Sequence, residues 1–65
     1  MVLKVIELMA GSEKSWVDAT KNAIDKASKS VNNIKSAWVK DQSVIIKENQ
    51  ITEYRVNVKI SFGVD

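Results

Sequence analysis

The chain has no cysteine, no histidine and no proline, and only two glycines. Without cysteine there are no disulfides and no thiolate metal sites. Without histidine most zinc sites are excluded, together with Ser-His-Asp and Cys-His catalysis. The two glycines, Gly11 and Gly63, stand far apart, so no glycine-rich phosphate loop exists. Charge of one sign is also scarce: ten basic residues against eight acidic ones leave +2, with the lysines interspersed among acids. Neither a basic stripe nor the stacking aromatics of a nucleic-acid module is present, so no nucleic-acid partner is expected. The longest apolar runs, Val44–Ile46 among them, fall far short of the roughly 20 residues that span a bilayer. Lys4 and Glu7 interrupt the first ten residues where a signal peptide needs a continuous apolar stretch. A cytoplasmic protein with no membrane partner is expected.

The 65 residues are read as one domain, 1–65, near the lower limit for independent folding. A chain this small buries only about 60% of its unfolded surface and usually gains stability from disulfides, a metal or oligomerisation. With cysteine and histidine absent, self-association is the expected route. A catalytic pair of carboxylates is not expected, because so short a protomer encloses no cleft.

What is present is periodicity. From Ile51 to Val64 the residues alternate: Tyr54, Val56, Val58, Ile60, Phe62 and Val64 take one parity, and Glu53, Arg55, Asn57, Lys59, Ser61 and Gly63 the other. Successive side chains of a strand point to opposite faces, so the first set looks at a core and the second is an outer polar face. Val2–Met9 reads as a first strand ended by Ala10 and Gly11. From about Lys14 to Val31 the period becomes helical, with Trp16, Ala19, Thr20, Ala23, Ile24, Ala27 and Val31 in one arc. Ser12 is one candidate N-cap and Ser15, with Asp18, the competing one. Asn32 and Asn33 suit a left-handed helix cap.

Ile34–Lys47 reads as a second strand, turning at Glu48 and Asn49 into the third. A two-residue turn pairs positions whose numbers sum to 97, which sets Gln42 opposite Arg55. Ser36, Trp38, Gln42, Arg55 and Asn57 then share the outer face, together with Val44 and Ile46. The order is β-α-β-β, an α+β fold. Placing the third strand centrally, in order 1-3-2, makes every pairing antiparallel. One helix covers one face, and the bare face calls for burial against other subunits.

In this arrangement the chain resembles the dodecin family. The resemblance rests on Met1–Leu8, Gly11-Ser12-Glu13, Asn22-Ala23-Ile24-Asp25-Lys26-Ala27, Val31-Asn32-Asn33-Ile34, Val39-Lys40-Asp41-Gln42 and the stretch from Tyr54 to Phe62. It implies hollow dodecamers of cubic 23 symmetry, whose flavin-binding members hold flavins in aromatic pairs at the two-fold axes. In those members a tryptophan stacks on the isoalloxazine and a glutamine bonds its edge. Their positions correspond here to Ser36 and Arg55. Ser36 has no ring, and Arg55 has donors but no acceptor, so both departures count against flavin.

Trp38, about 6.6 Å along the same face at strand rise, is the alternative ring for a flat ligand, or else packs against a neighbouring subunit. Arg55 suits a phosphate or carboxylate, or else an intersubunit ion pair with Glu53 or Asp41. The resemblance also brings in cations, with which some members lacking the stacking tryptophan are associated. Glu7, Asp41 and Glu53 could converge in a symmetric assembly as an oxygen-rich site, whose chemistry suits calcium or magnesium. The expected function is a non-enzymatic homododecamer that binds or stores a small ligand or ion at Ser36, Trp38, Gln42 and Arg55. The alternatives are a divalent-cation binder, a flavin or coenzyme buffer using Trp38, and a purely structural assembly module.

Overall fold

The computed structural model describes residues 1–64. Strand β1 (Val2–Ser12) is followed by helix α1 (Trp16–Ser28), strand β2 (Ile34–Lys47) and strand β3 (Gln50–Val64). The sheet order is β1-β3-β2, with both pairings antiparallel. The expected α+β architecture is therefore the observed one. Among the described residues no helix is long and apolar enough to cross a membrane.

One face of the sheet carries the helix. Val56, Val58 and Ile60 of β3 are almost completely buried against Ala19, Ala23 and Ala27 of α1. Alanine at every fourth position keeps one helix stripe thin, so the helix axis lies close to the strands. Ile6, Leu8, Trp16, Ile24, Val31 and Ile34 close the margins of this core.

The element ends differ from expectation in ways that hydrogen bonding explains. Ala10 and Gly11 do not end β1; they pair with Val56 and Arg55, and Ser12 pairs with Tyr54. A free ladder partner outweighs the weak strand propensity of both residues. Ser15, not Ser12, caps the helix: its Oγ accepts from the Asp18 N–H at 3.0 Å. Ser12 holds the connecting turn instead, accepting from the Lys14 N–H at 2.9 Å and donating to Asp18 Oδ2 at 2.7 Å. The helix ends at Ser28, with Ser30 and Val31 N–H groups both returning to the Ala27 carbonyl. The left-handed residue is Asn33, at φ 61°, in the loop before β2 rather than at the helix cap.

The hairpin corrects the register. Glu48 and Asn49 both have positive φ, 53° and 63°, the signature of a type I′ turn. Lys47↔Gln50 and Ile46↔Ile51 follow the expected pairing, but an irregularity at Thr52 then advances β3 by one residue. A second, at Lys40, restores the original register from Val39 to Ser36, and a third, between Ser36 and Ile34, sets Ile34 opposite Phe62. Between the two, Gln42 pairs with Val56 and Ser43 with Arg55, so the expected Gln42–Arg55 pair does not form. Gln42 and Val44 consequently lie on the helix-side parity and not on the outer face. Val44 pairs with Tyr54, whose ring meets Trp16 edge-on at 5.1 Å.

Candidate functional site

The face of the sheet away from the helix is the candidate site. Its middle is a polar file along β3, formed by Arg55, Asn57, Lys59 and Ser61. This is the file that the strict alternation of that strand sets opposite Val56, Val58 and Ile60. To one side β1 contributes Leu3, Val5, Glu7 and Met9, which pair with or lie beside Gly63, Ser61, Lys59 and Asn57. To the other side β2 contributes Ser36 and Trp38, opposite Ser61 and Lys59. Large apolar groups stand in water here: Trp38 is 46% exposed, Val5 53% and Met9 68%.

The extra residue at Lys40 has a direct consequence for charge. Two consecutive β2 residues, Lys40 and Asp41, are brought to the outer side, because a bulge sets two residues against one. Lys40 Nζ lies 3.8 Å from Glu7 Oε2, which also accepts from Asn57 Nδ2 at 2.8 Å. Asp41 pairs with Asn57 on the other flank. Half-exposed pairs of this kind contribute on the order of 0–1 kcal/mol, so the group adds little to stability.

At the far end of the polar file, Arg55 Nε donates to Glu53 Oε1 at 2.6 Å. The partner is within the same chain, where an intersubunit pair was one expectation. The carboxylate lies over Gly11, where a Cβ would overlap it. An open cavity of about 340 Å³ adjoins this pair, lined by Glu13, Ile45, Lys47, Thr52, Glu53 and Arg55.

The structure brings together Ser36 with Trp38, Glu7 with Asn57 and Asp41, and Arg55 with Glu53. It separates Gln42 from all of them. Within the described residues of one chain, no three acidic side chains gather tightly enough to hold a metal ion. Ser61, Lys40, Val5 and Met9 were not singled out from the sequence. Ser61 is the most telling: its hydroxyl is buried and shares a 2.6 Å hydrogen bond with the Ser36 hydroxyl. The alternation of β3 already placed it on this face. Alternation along β2 likewise sets Lys40 on the parity of Ser36 and Trp38, but the bulge that brings Asp41 to the same side leaves no mark in the residue pattern, since it contains no glycine.

The Dodecin family model matches residues 2–65. The chain is 33% identical over 61 residues to calcium dodecin of Mycobacterium tuberculosis, spanning 94% of this chain and 86% of that protein. A crystal structure of that calcium-chelating antigen, described with a novel calcium-binding site, superposes with a TM-score of 0.87 at 32% identity. The match covers 100% of this chain and 93% of that one. A point variant of the T. thermophilus dodecin superposes with a TM-score of 0.93 at 28% identity, covering 98% of this chain and 96% of that one. The dodecin of Streptomyces coelicolor has a TM-score of 0.94 at 22% identity over 98% and 91% of the two chains, a likeness of fold alone.

Proposed function

The chain belongs to the dodecin family, and from that premise we propose a non-catalytic, self-assembling cytoplasmic protein, a hollow shell of twelve copies, that holds a small ligand or ion. The observation that carries the reading is the outer sheet face, where Leu3, Val5, Met9 and Trp38 are exposed around a polar file. The accessible surface supports it too. The chain exposes 4827 Å², whereas a compact monomer of this mass exposes about 4,200 Å². Shared burial of this face between copies removes the excess.

Ser36, Trp38 and Arg55 line the ligand site in this reading, and Ser43 takes the place expected of Gln42, opposite Arg55. A flavin stacked as in flavin-binding members is disfavoured. Ser36 presents a hydroxyl already bonded to Ser61, and Arg55 presents donors partly held by Glu53. The second reading, a site for calcium or magnesium, is favoured by Glu7 and Asp41 flanking Asn57 on the outer face. Carboxylate and amide oxygens are the ligands that hard cations take. A symmetric assembly brings copies of Glu7, Asp41 and Glu53 toward one another. The 33% identical relative being a calcium dodecin supports the same reading.

Native mass spectrometry of the purified protein tests both, because it reports subunit number and retained ligand together. A mass of twelve chains is expected. Calcium or magnesium at 100 times its dissociation constant should stabilise the native state by about 2.7 kcal/mol per site. Riboflavin fluorescence should remain unquenched at micromolar protein. A species of single-chain mass, or a flavin complex in place of a cation response, would reject the respective reading.

A further inference from the structure

Gly11 is the β1 residue that pairs with Arg55, and its missing side chain shapes what Arg55 can do. A Cβ there would overlap the Glu53 carboxylate, so the glycine supplies the seat in which that carboxylate rests. From this seat Glu53 Oε1 accepts from Arg55 Nε at 2.6 Å. The bond leaves the N–H groups of both terminal guanidinium nitrogens unused. Among the described residues, Nη1 and Nη2 of Arg55 have no hydrogen-bond partner. A guanidinium held by its Nε presents those two nitrogens as a positioned fork, which carboxylates and phosphates accept through two parallel bonds.

Arg55 borders the open cavity of about 340 Å³ beside the hairpin, a volume within the roughly 300–1,000 Å³ of small-ligand clefts. Lys47 is a second cation in the wall and forms no ion pair among the described residues. Ile45, which pairs with Glu53, adds apolar surface. Glu13 and Glu53 complete the charges, so the wall holds two cations and two carboxylates and is neutral as a whole. That balance decides between the anions that suit the fork. A phosphate brings nearly two negative charges toward both carboxylates, whereas a carboxylate brings one and places it between Arg55 and Lys47. We propose that this cavity binds a small monocarboxylate: Arg55 takes its oxygens, Lys47 adds the second positive charge, and Ile45 lies against its hydrocarbon part. Glu53 acts through Arg55 and is a positioning residue. The inference rests on the small-ligand reading above and names the chemical class of the ligand. Every group it uses belongs to one chain, so it does not depend on subunit number.

Butyrate is the probe, followed by saturation-transfer difference NMR on the full chain with acetate, inorganic phosphate and butylammonium as competitors. Butyrate should receive saturation and lose it to acetate at a lower concentration than to phosphate, and butylammonium should leave it unchanged. Arg55→Lys keeps the charge but not the fork, and should weaken butyrate binding by roughly tenfold, about one charge-assisted hydrogen bond. The Glu53 variants separate positioning from charge. Glu53→Gln keeps an acceptor for Nε and should bind at least as tightly as the wild type. Glu53→Ala removes that acceptor and should bind more weakly, although the loss of a negative charge would by itself tighten an anion. Gly11→Ala should weaken binding with every charge in place; Gly11 has no positive φ, so circular dichroism should show this variant folded. No saturation transfer to butyrate, in a wild type that native mass spectrometry shows retaining another ligand or ion, would overturn this site and leave the small-ligand reading standing. With nothing retained either, both fall. Displacement by phosphate at a lower concentration than by acetate would overturn the ligand class. Butyrate binding unchanged in Arg55→Lys and tighter in Glu53→Ala would overturn the fork.

Discussion

Ser12 and Ser15 are both capping candidates by residue type, yet their hydroxyls do different work. Ser15 satisfies the Asp18 N–H at the helix start. Ser12 is buried and ties the end of β1 to the helix through Asp18 Oδ2. Ser15→Ala should therefore lower stability by about 1 kcal/mol, the ordinary cost of a lost N-cap. The effect should appear as a lower urea midpoint with unchanged slope; an unchanged midpoint would mean the cap lies elsewhere. Both serines were legible as capping candidates. The choice between them was not, because it depends on how far β3 lets β1 run before the turn. Gly11 is a similar case. It reads as a strand breaker in sequence, but it is a strand residue whose missing side chain makes room for the Glu53 carboxylate.

Among the elements, the β2–β3 hairpin departs most from its sequence pattern. Its turn was readable: Glu48 and Asn49 are flanked by alternating residues, and both adopt the left-handed conformation a type I′ turn requires. Left-handed backbone is unfavourable for residues with a Cβ and least so for glycine. Asn49→Gly should thus stabilise the hairpin by about 0.5 kcal/mol, measured as a rise in the denaturation midpoint. A fall would show that the Asn49 side chain makes a contact worth more than the relieved strain. The irregularities at Thr52 and Lys40 were not readable. Neither contains glycine, and the apolar run Val44-Ile45-Ile46 fits either parity, so strict alternation was extended through both. The cost of that extension fell on Gln42, which the structure pairs with Val56. The helix shows a milder version of the effect, since Val31 packs on the core while lying three residues beyond the helix end.

For the whole molecule, the decisive feature is how little of it is core. Among the described residues six are both hydrophobic and buried, three of them alanines, while Leu3, Val5, Met9 and Trp38 remain in water. The assembly proposed above would supply the missing burial, and the stability of such a protein is then linked to its concentration. The melting temperature should accordingly rise with protein concentration, by roughly 5 °C per tenfold for a chain of this size. Differential scanning calorimetry from micromolar to millimolar protein measures it. A melting temperature independent of concentration across that range would argue for a self-sufficient monomer.

The sequence by itself determined the architecture, because alternation in β3, the alanine stripe of α1 and the two-residue turn are local signals that agree with one another. The family resemblance that the sequence carries implies, beyond this, that Ser36 and Arg55 stand where flavin-binding members have an aromatic ring and an amide. Tertiary structure alone decided which residues those two meet: Ser61 for Ser36, Glu53 and the opposing Ser43 for Arg55. It alone brought Lys40 to Glu7 and turned Gln42 away. The physical reason is that strand register is a property of a pair. Periodicity in one strand says which residues share a face, and only the hydrogen-bond ladder, with its bulges, says what lies opposite.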